Sequence, residues 1–386
     1  MKGTFPIERF QKVRTPFYYY DTVLLRKTLD MLRQEAQSHP NFRIHYAIKA
    51  NANPKLLKII SSYGLGADCV SGGEIQRALE NGFAPQSIVF AGVGKTDEEI
   101  ILALDAHILC FNVESTAELE VINQLAQAKH TKARVAFRIN PDVGAHTHKN
   151  ITTGLAENKF GIDMSQMVDV IEHAYKMDAI EVIGLHFHIG SQILEMTDFE
   201  ALCNRINELQ ELLDLHHIHV DNINVGGGLG VSYEHPNRLP VPDFNDYFNT
   251  FTRHLKLRDG QKLHFELGRS VVAQCGSLIS RVLYIKKGMF KQFCIVDAGM
   301  TDLIRPALYQ AYHKIENISS DEPIETYDVV GPVCESSDVF GKAVDLNKSH
   351  RGDFLAIRSA GAYGEIMASQ YNCRPLPKGY ITEDFL

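Results

Sequence analysis

Apolar residues along this chain fall into short unbroken runs, separated by longer stretches in which they recur at helical spacing. The runs that read as buried strands are 43–50, 66–71, 87–92, 108–113, 133–140, 181–190, 219–228 and 262–268. Between them, Asn53-Pro54-Lys55-Leu56-Leu57-Lys58-Ile59-Ile60 and Gly73-Glu74-Ile75-Gln76-Arg77-Ala78-Leu79 place apolar side chains on one helical face. Thr96-Asp97-Glu98-Glu99 has the spacing of a capping box, and Ser115-Thr116-Ala117-Glu118 opens another helix in the same way. Eight strands alternating with helices match a (β/α)8 TIM-like barrel. A doubly wound sheet is the competing architecture, and the count of eight favours the barrel.

After about residue 269 the texture changes. The runs 277–285, 293–297, 327–331 and 354–360 are strand-like, with fewer long helices between them. Phe17-Tyr18-Tyr19-Tyr20 is a further strand candidate ahead of the barrel pattern, placed to join that C-terminal sheet. The predicted organisation is an α/β chain with a barrel over 22–269 and a β-rich domain built from 1–21 and 270–386.

Composition narrows the function classes. The 386 residues are 45% hydrophobic, enough for a sizeable core, and the formal net charge of −8 offers no basic field for nucleic acid or an anionic membrane. No uninterrupted apolar stretch has the length of a membrane span, and Met1 to Arg9 lack the apolar core of a secretory signal. The seven cysteines are scattered and contain no C-x-x-C pair, which fits reduced thiols in a cytoplasm and no zinc site. A cytoplasmic protein without a metal is expected.

In a barrel of this kind functional groups gather at the C-terminal ends of the strands. Lys49, in His45-Tyr46-Ala47-Ile48-Lys49-Ala50-Asn51, ends such a run. A lysine held there suits imine chemistry on a carbonyl compound; the plainer alternative is a side chain reaching past the strand end to water. His186 and His188 are expected on one face of their strand, as core or ring-stacking histidines, with the Gly190-Ser191 turn suited to an aromatic ring that carries a phosphate. Gly226-Gly227-Gly228 lets backbone amides approach an oxyanion, or is a tight turn. It lacks the spacing of a dinucleotide fingerprint, and Gly92-Val93-Gly94-Lys95-Thr96 is not a P-loop.

Glu266-Leu267-Gly268-Arg269 ends the eighth run with a carboxylate and a guanidinium. They read either as an ion pair or as a proton holder for a heterocyclic nitrogen beside an anion site. Cys334-Glu335-Ser336 puts a thiol beside an acid on a turn, and Ala360-Gly361-Ala362-Tyr363-Gly364 presents a hydroxyl between small residues. Arg305 precedes Pro306, a good first helical residue, so Arg305 and Tyr309 are expected one turn apart at a helix entrance.

Taken in order, these clusters resemble the alanine-racemase-like (fold-type III) pyridoxal-phosphate decarboxylases over nearly the whole chain. Asn158-Lys159-Phe160-Gly161-Ile162, His188-Ile189-Gly190-Ser191-Gln192, Cys334-Glu335-Ser336 and Asp302-Leu303-Ile304-Arg305-Pro306-Ala307-Leu308-Tyr309 resemble the diaminopimelate branch. The resemblance implies pyridoxal 5'-phosphate as cofactor and decarboxylation of meso-2,6-diaminopimelate to L-lysine, the last step of lysine biosynthesis. It implies Lys49 as the residue that bonds the cofactor, His188 stacked on its ring and Glu266 at the pyridine nitrogen. Asp68 and Arg138 would position the lysine, while Ser191, Gly227, Gly228, Gly268, Arg269 and Tyr363 would surround the phosphate. Arg269, Arg305, Tyr309, Glu335 and Tyr363 would recognise the substrate, and Cys334 would donate the proton. A homodimer is implied, with Cys334 and Glu335 entering from the partner chain. Rival readings are a decarboxylase of a polyamine precursor, such as carboxynorspermidine or ornithine, an amino-acid isomerase, or a non-catalytic regulatory relative. Two departures stand out: Leu267 replaces the family's proline, and the chain is somewhat short.

Overall fold

The structure, a computed structural model, describes residues 3–144 and 159–386. Asn158, named in one of the motifs above, lies outside the described residues. By contacts the chain divides into two units, one of Met1–Thr28, Val231–Pro242 and Arg269–Leu386, the other of Leu29–Gly230 and Asp243–Gly268.

After the N-terminal strand β1 (Phe17–Tyr20) come β2 (Phe42–Ala47), β3 (Gly66–Cys69), β4 (Ile88–Phe90), β5 (Cys110–Val113), β6 (Ala133–Asn140), β7 (Ile162–Asp163), β8 (Ile180–His186), β9 (Asn222–Asn224) and β10 (Lys262–Leu267). From β2 onward all pair in parallel, in the order β5-β4-β3-β2-β10-β9-β8-β6. Pairing of β5 with β6 closes the barrel, and the short β7 adds beside the end of β6.

Local sequence sets the helices between these strands. Thr96 caps the helix Asp97–Asp105 in a reciprocal box with Glu99, and the Ser115 side chain accepts from the Glu118 N–H at the start of Thr116–Ala128. Asn53 caps Pro54–Ser62, with Pro54 in the first turn where a missing N–H costs nothing. The helix Phe244–His254 packs Tyr247, Phe248 and Phe251 around Phe265 of β10, with ring centroids 4.9 to 5.7 Å away. Each such buried ring contributes about 1.5–3 kcal/mol.

Six strands end earlier than the apolar runs suggest, three of them by the widest margins. β2 stops at Ala47, and Lys49 sits in the following 3-10 turn Ile48–Ala50. β8 stops at His186 and β9 at Asn224. Ile48, Ile189 and Val225 are all buried, so burial persists after the backbone has left the ladder. Apolar runs record burial, and pairing is only one way to achieve it. His186 and His188 therefore do not share a strand face.

The other unit is a mixed sheet of β1 with β11 (Gly276–Lys287), β12 (Gln292–Val296), β13 (Ile315–Asn317), β14 (Ile324–Val330), β15 (Val339–Asn347), β16 (Phe354–Ile357) and β17 (Lys378–Ile381). Its main path runs β13-β16-β11-β12-β14-β15, while β1 lies antiparallel to β11 and parallel to β17. The four aromatic residues of β1 are all buried. Phe17 and Tyr19 join Phe10, Ile279, Phe354 and Phe385 in the core on one face of this sheet.

Candidate active site

Lys49 leaves β2 on a turn that aims its amine at β3, where Nζ lies 3.2 Å from Asp68 Oδ2. The lysine side chain is 36% exposed and the aspartate 0%, so the anchor is fixed inside while the amine stays within reach of a ligand. Burial, helped by the charge of Glu266, pushes the Asp68 carboxyl up, and Lys49 pulls it back. Asp68 Oδ1 is buried without a hydrogen-bond partner.

Glu266, on β10, is nearly fully buried and collects donors from three other strands. Asn112 Nδ2 of β5 and Asn224 Nδ2 of β9 donate to Oε1 at 3.2 and 2.8 Å, and His186 Nε2 of β8 lies 3.1 Å from Oε2. Burial alone would raise this carboxyl, but His186 and the Lys49 charge outweigh it and hold it well below the usual carboxylate range. Glu266 is therefore an anion set into the barrel. His186 Nδ1 has no partner and is buried.

The loops after β8 and β9 are tied together. Ile193 N–H donates to Gly228 C=O and Gly230 N–H to Ile193 C=O, both at 2.9 Å, bringing Ser191 beside the glycine run. At Gly227 a Cβ would sit 2.0 Å from the Glu266 carbonyl oxygen, and Gly228 has φ of 112°, so this approach needs glycines. Gly227 N–H lies 3.3 Å from His188 Nδ1. Burial, then Lys49 and Arg138, push the His188 ring well below the ordinary histidine range, so it is neutral. Gly268 follows β10 so closely against Ala47 and Ala50 that a Cβ would lie about 3 Å from theirs (2.9 Å to Ala50, 3.0 Å to Ala47).

Arg138, at the end of β6, pairs with Glu114 at 2.9 Å and lies over the Phe160 ring at 4.6 Å. Glu114 also accepts from the Gly92 and Gly161 N–H groups, at 3.1 and 2.9 Å, locking three loops to one carboxylate. Lys95, from the segment that failed the P-loop spacing, is consumed structurally: it donates to Gly92 and Asn112 carbonyls and to Glu118.

The β unit carries a cluster of its own. Arg269 donates to the Tyr233 hydroxyl at 2.6 Å and stacks over the Tyr363 ring at 5.0 Å. Arg305 lies over the other ring of that set, Tyr233, at 4.9 Å, and donates to His313 Nε2 at 2.7 Å. His313 in turn donates from Nδ1 to the Arg358 carbonyl, and burial beside Arg305 pushes it down to about 3. Arg305 is thus a buried cation oriented by neutral groups. The helix Arg305–Tyr309 opens with Pro306 in its first turn, as the sequence implies. Tyr363 holds φ at 55°, a conformation that a non-glycine residue adopts only when its surroundings enforce it.

Cys334 and Glu335 are both exposed. Cys334 Sγ sits 3.5 Å from Asn372 Oδ1, and Tyr371 donates its hydroxyl to Glu335 Oε1 at 2.8 Å. Sequence reading singled out neither Tyr371 nor Asn372, and it missed Tyr233, His313, Asn112, Glu114 and Asn224. A signal existed for three of these: Asn112 in β5 and Glu114 just past it, and Asn222 and Asn224 in β9, are polar residues two apart with an apolar residue between them.

The profile of the family described as pyridoxal-dependent decarboxylase, pyridoxal binding domain, matches residues 25–273. Over its full length and that of the relative, the chain is 67% identical to a diaminopimelate decarboxylase of Bacteroides thetaiotaomicron. It is 40% identical to a diaminopimelate decarboxylase of Aquifex aeolicus, covering 98% of this chain and 89% of that one. The crystal structure of diaminopimelate decarboxylase from Helicobacter pylori complexed with L-lysine superposes with a TM-score of 0.92 at 43% identity, covering 98% of this chain and 94% of that one. A profile matched through residues 25–273 and a relative matched end to end at 67% identity make the chain a member of the pyridoxal-phosphate-dependent decarboxylases, in their diaminopimelate decarboxylase branch.

Proposed function

We propose that this chain removes one carboxyl group of meso-2,6-diaminopimelate as carbon dioxide and leaves L-lysine. The observation that carries the substrate is the full-length match at 67% identity. The reaction type is supported independently by the barrel interior.

The residues present fit pyridoxal phosphate. An amine anchored by a buried carboxylate, a neutral imidazole, an ionised carboxylate and a glycine-lined turn are the partners that its aldehyde, ring face, ring nitrogen and phosphate require. Bound there, the cofactor supplies an electron sink for the bond that loses carbon dioxide. Lys49 would hold it at the aldehyde carbon, with Asp68 fixing the amine. His188 would cover the ring, and Ser191, Gly227, Gly228 and Gly268 would line the phosphate. Glu266, with three donors on its two oxygens, retains one lone pair on Oε2 for a proton at the ring nitrogen. A carboxylate at that place keeps the nitrogen protonated, which favours decarboxylation over isomerisation. Arg138 would act through Glu114, which ties the loops at Gly92 and Gly161 to the end of β6.

Diaminopimelate carries an amino-acid group at each end, so recognition needs cations for carboxylates and an anion for the distal ammonium. Arg269 and Arg305 suit the carboxylates, with Tyr309 and Tyr363 as hydroxyl partners, and Glu335 suits the ammonium. Cys334 would return the proton to the carbon that lost its carboxylate. Their exposure on a single chain supports a homodimer in which a second copy covers Cys334 and Glu335. Free cysteines throughout the described residues support a reducing, cytoplasmic setting, and among those residues no helix is long and apolar enough to cross a membrane.

The test is product analysis. Purified protein supplied with pyridoxal phosphate should release carbon dioxide and lysine from meso-diaminopimelate, and little from ornithine, lysine or carboxynorspermidine. Release from ornithine or carboxynorspermidine in preference would move the chain to a polyamine-precursor branch.

A further inference from the structure

The opposite end of the barrel, where the strands begin, holds a second group of titratable side chains. His45 of β2 and His264 of β10 lie edge to edge, with ring planes 9° apart and His45 Nε2 2.9 Å from His264 Nδ1. Both rings are buried, 2% and 5% exposed. The outer nitrogens meet acceptors: His45 Nδ1 is 3.0 Å from the Ser87 carbonyl, and His264 Nε2 is 3.0 Å from Asn222 Oδ1. Asn222 cannot turn its amide round, because Nδ2 already donates to the Ile183 carbonyl at 2.9 Å. Gly66 makes the room, since a Cβ there would fall 2.5 Å from His45 Nδ1.

Counting protons gives an unexpected charge. A carbonyl and an amide oxygen only accept, so each outer nitrogen carries a hydrogen, and the central contact needs one more. Filling all three contacts takes three protons on four ring nitrogens, one more than a neutral pair carries, and would make the pair a cation. Burial pushes both rings below the ordinary histidine range, His264 furthest, with His45 acting against His264 and with Arg43, Lys262 and His186 adding to it. Glu266 and the Ser87 carbonyl pull the other way without prevailing, so on its own the pair lacks the third proton. A counter-charge from outside the barrel would settle the conflict, and the surroundings are built to hold one. The pair floors a cavity of about 590 Å³ whose lining adds Arg33, His39, Arg43 and Lys262 but no aspartate or glutamate, on a chain of net charge −8. Arg33 is braced against the Tyr63 ring at 5.1 Å and by Asp30 at 3.5 Å, and Arg43 by the Pro40 and Phe42 carbonyls.

We propose that this cleft binds a small oxyanion, a phosphate- or carboxylate-bearing metabolite, and that the anion and the shared proton of the His45–His264 pair bind together. By linkage each raises the affinity for the other. Both rings feel the charge of Glu266, so the cleft has an electrostatic route to the barrel interior.

Sulfate is the probe, because it does not itself titrate between pH 6 and 8. Cofactor-loaded protein is used, so that the cofactor's own phosphate position is filled. Calorimetric titration in two buffers of different protonation enthalpy should show sulfate binding with net proton uptake, tighter at pH 6 than at pH 8. The exposed-site double variant Arg33→Gln/Lys262→Gln should weaken it about tenfold without altering the unfolding midpoint. His264→Gln, if it folds, should bind sulfate without proton uptake. Absence of binding, binding unchanged in the double variant, or binding without proton uptake by the unmodified protein would each overturn the proposal.

Discussion

His186 and Glu266 meet inside the barrel, Nε2 to Oε2 at 3.1 Å, across 80 residues of sequence and with strand β9 between theirs. The contact matters because it decides the charge of the carboxylate. Together with Asn112 and Asn224 on the other oxygen, it keeps a deeply buried glutamate ionised. A buried charge of this kind is costly without partners, and the partners leave one acceptor position open.

Glu266→Gln tests what that open position does. The amide keeps the size but cannot hold a proton on a ring nitrogen. Decarboxylation of meso-diaminopimelate should fall by about 10²–10³-fold, the size of effect seen when one preorganised electrostatic partner is lost. Carbon dioxide release is the readout, with cofactor content measured beside it. Near-normal turnover by a cofactor-loaded variant would remove Glu266 from the reaction.

Cys334→Ala separates cofactor binding from proton return. The thiol is exposed, so the variant should fold and load cofactor like the unmodified protein. Lysine should appear slowly, or be accompanied by a wrongly protonated product, which chromatography of the reaction mixture resolves. Unchanged kinetics and product would assign the proton to another group.

Glu74 gives a pH prediction. Burial raises its carboxyl to about 7, against the restraining Val70 N–H. Between the unfolded value near 4.5 and the folded value near 7, the unfolded chain has released this proton and the native chain retains it. Its contribution therefore lowers stability progressively as pH rises through that window, with no further change above it. Urea unfolding of Glu74→Gln should show a flatter midpoint between pH 5 and 7 than the unmodified protein. Parallel pH profiles would contradict the raised carboxyl.

The barrel was legible because its strands are buried on both faces and read as apolar runs, with helix caps such as Thr96 and Ser115 marking the intervals. β1 was legible for the same reason, four aromatic residues in a row. β15 was not: Lys342, Ala343 and Asp345 are exposed, and a half-solvated strand with an irregular register shows no clean run. Lys49, Glu266 and Arg305 stood out as charged residues beside apolar or turn-forming neighbours. Their partners did not, because Tyr233, Asn112 and Glu114 gain meaning only from groups brought close by the fold. Tyr233 is an ordinary loop residue until Arg269 and Arg305 close on it. His188 was expected on the strand face with His186, but its strand ends two positions earlier.

The account stands on the amine beside Asp68. Replacing Lys49 by alanine should leave a folded protein that releases no carbon dioxide from meso-diaminopimelate above the level of free cofactor and loses the visible absorbance of the cofactor-loaded form. A purified Lys49→Ala protein with full activity would contradict it.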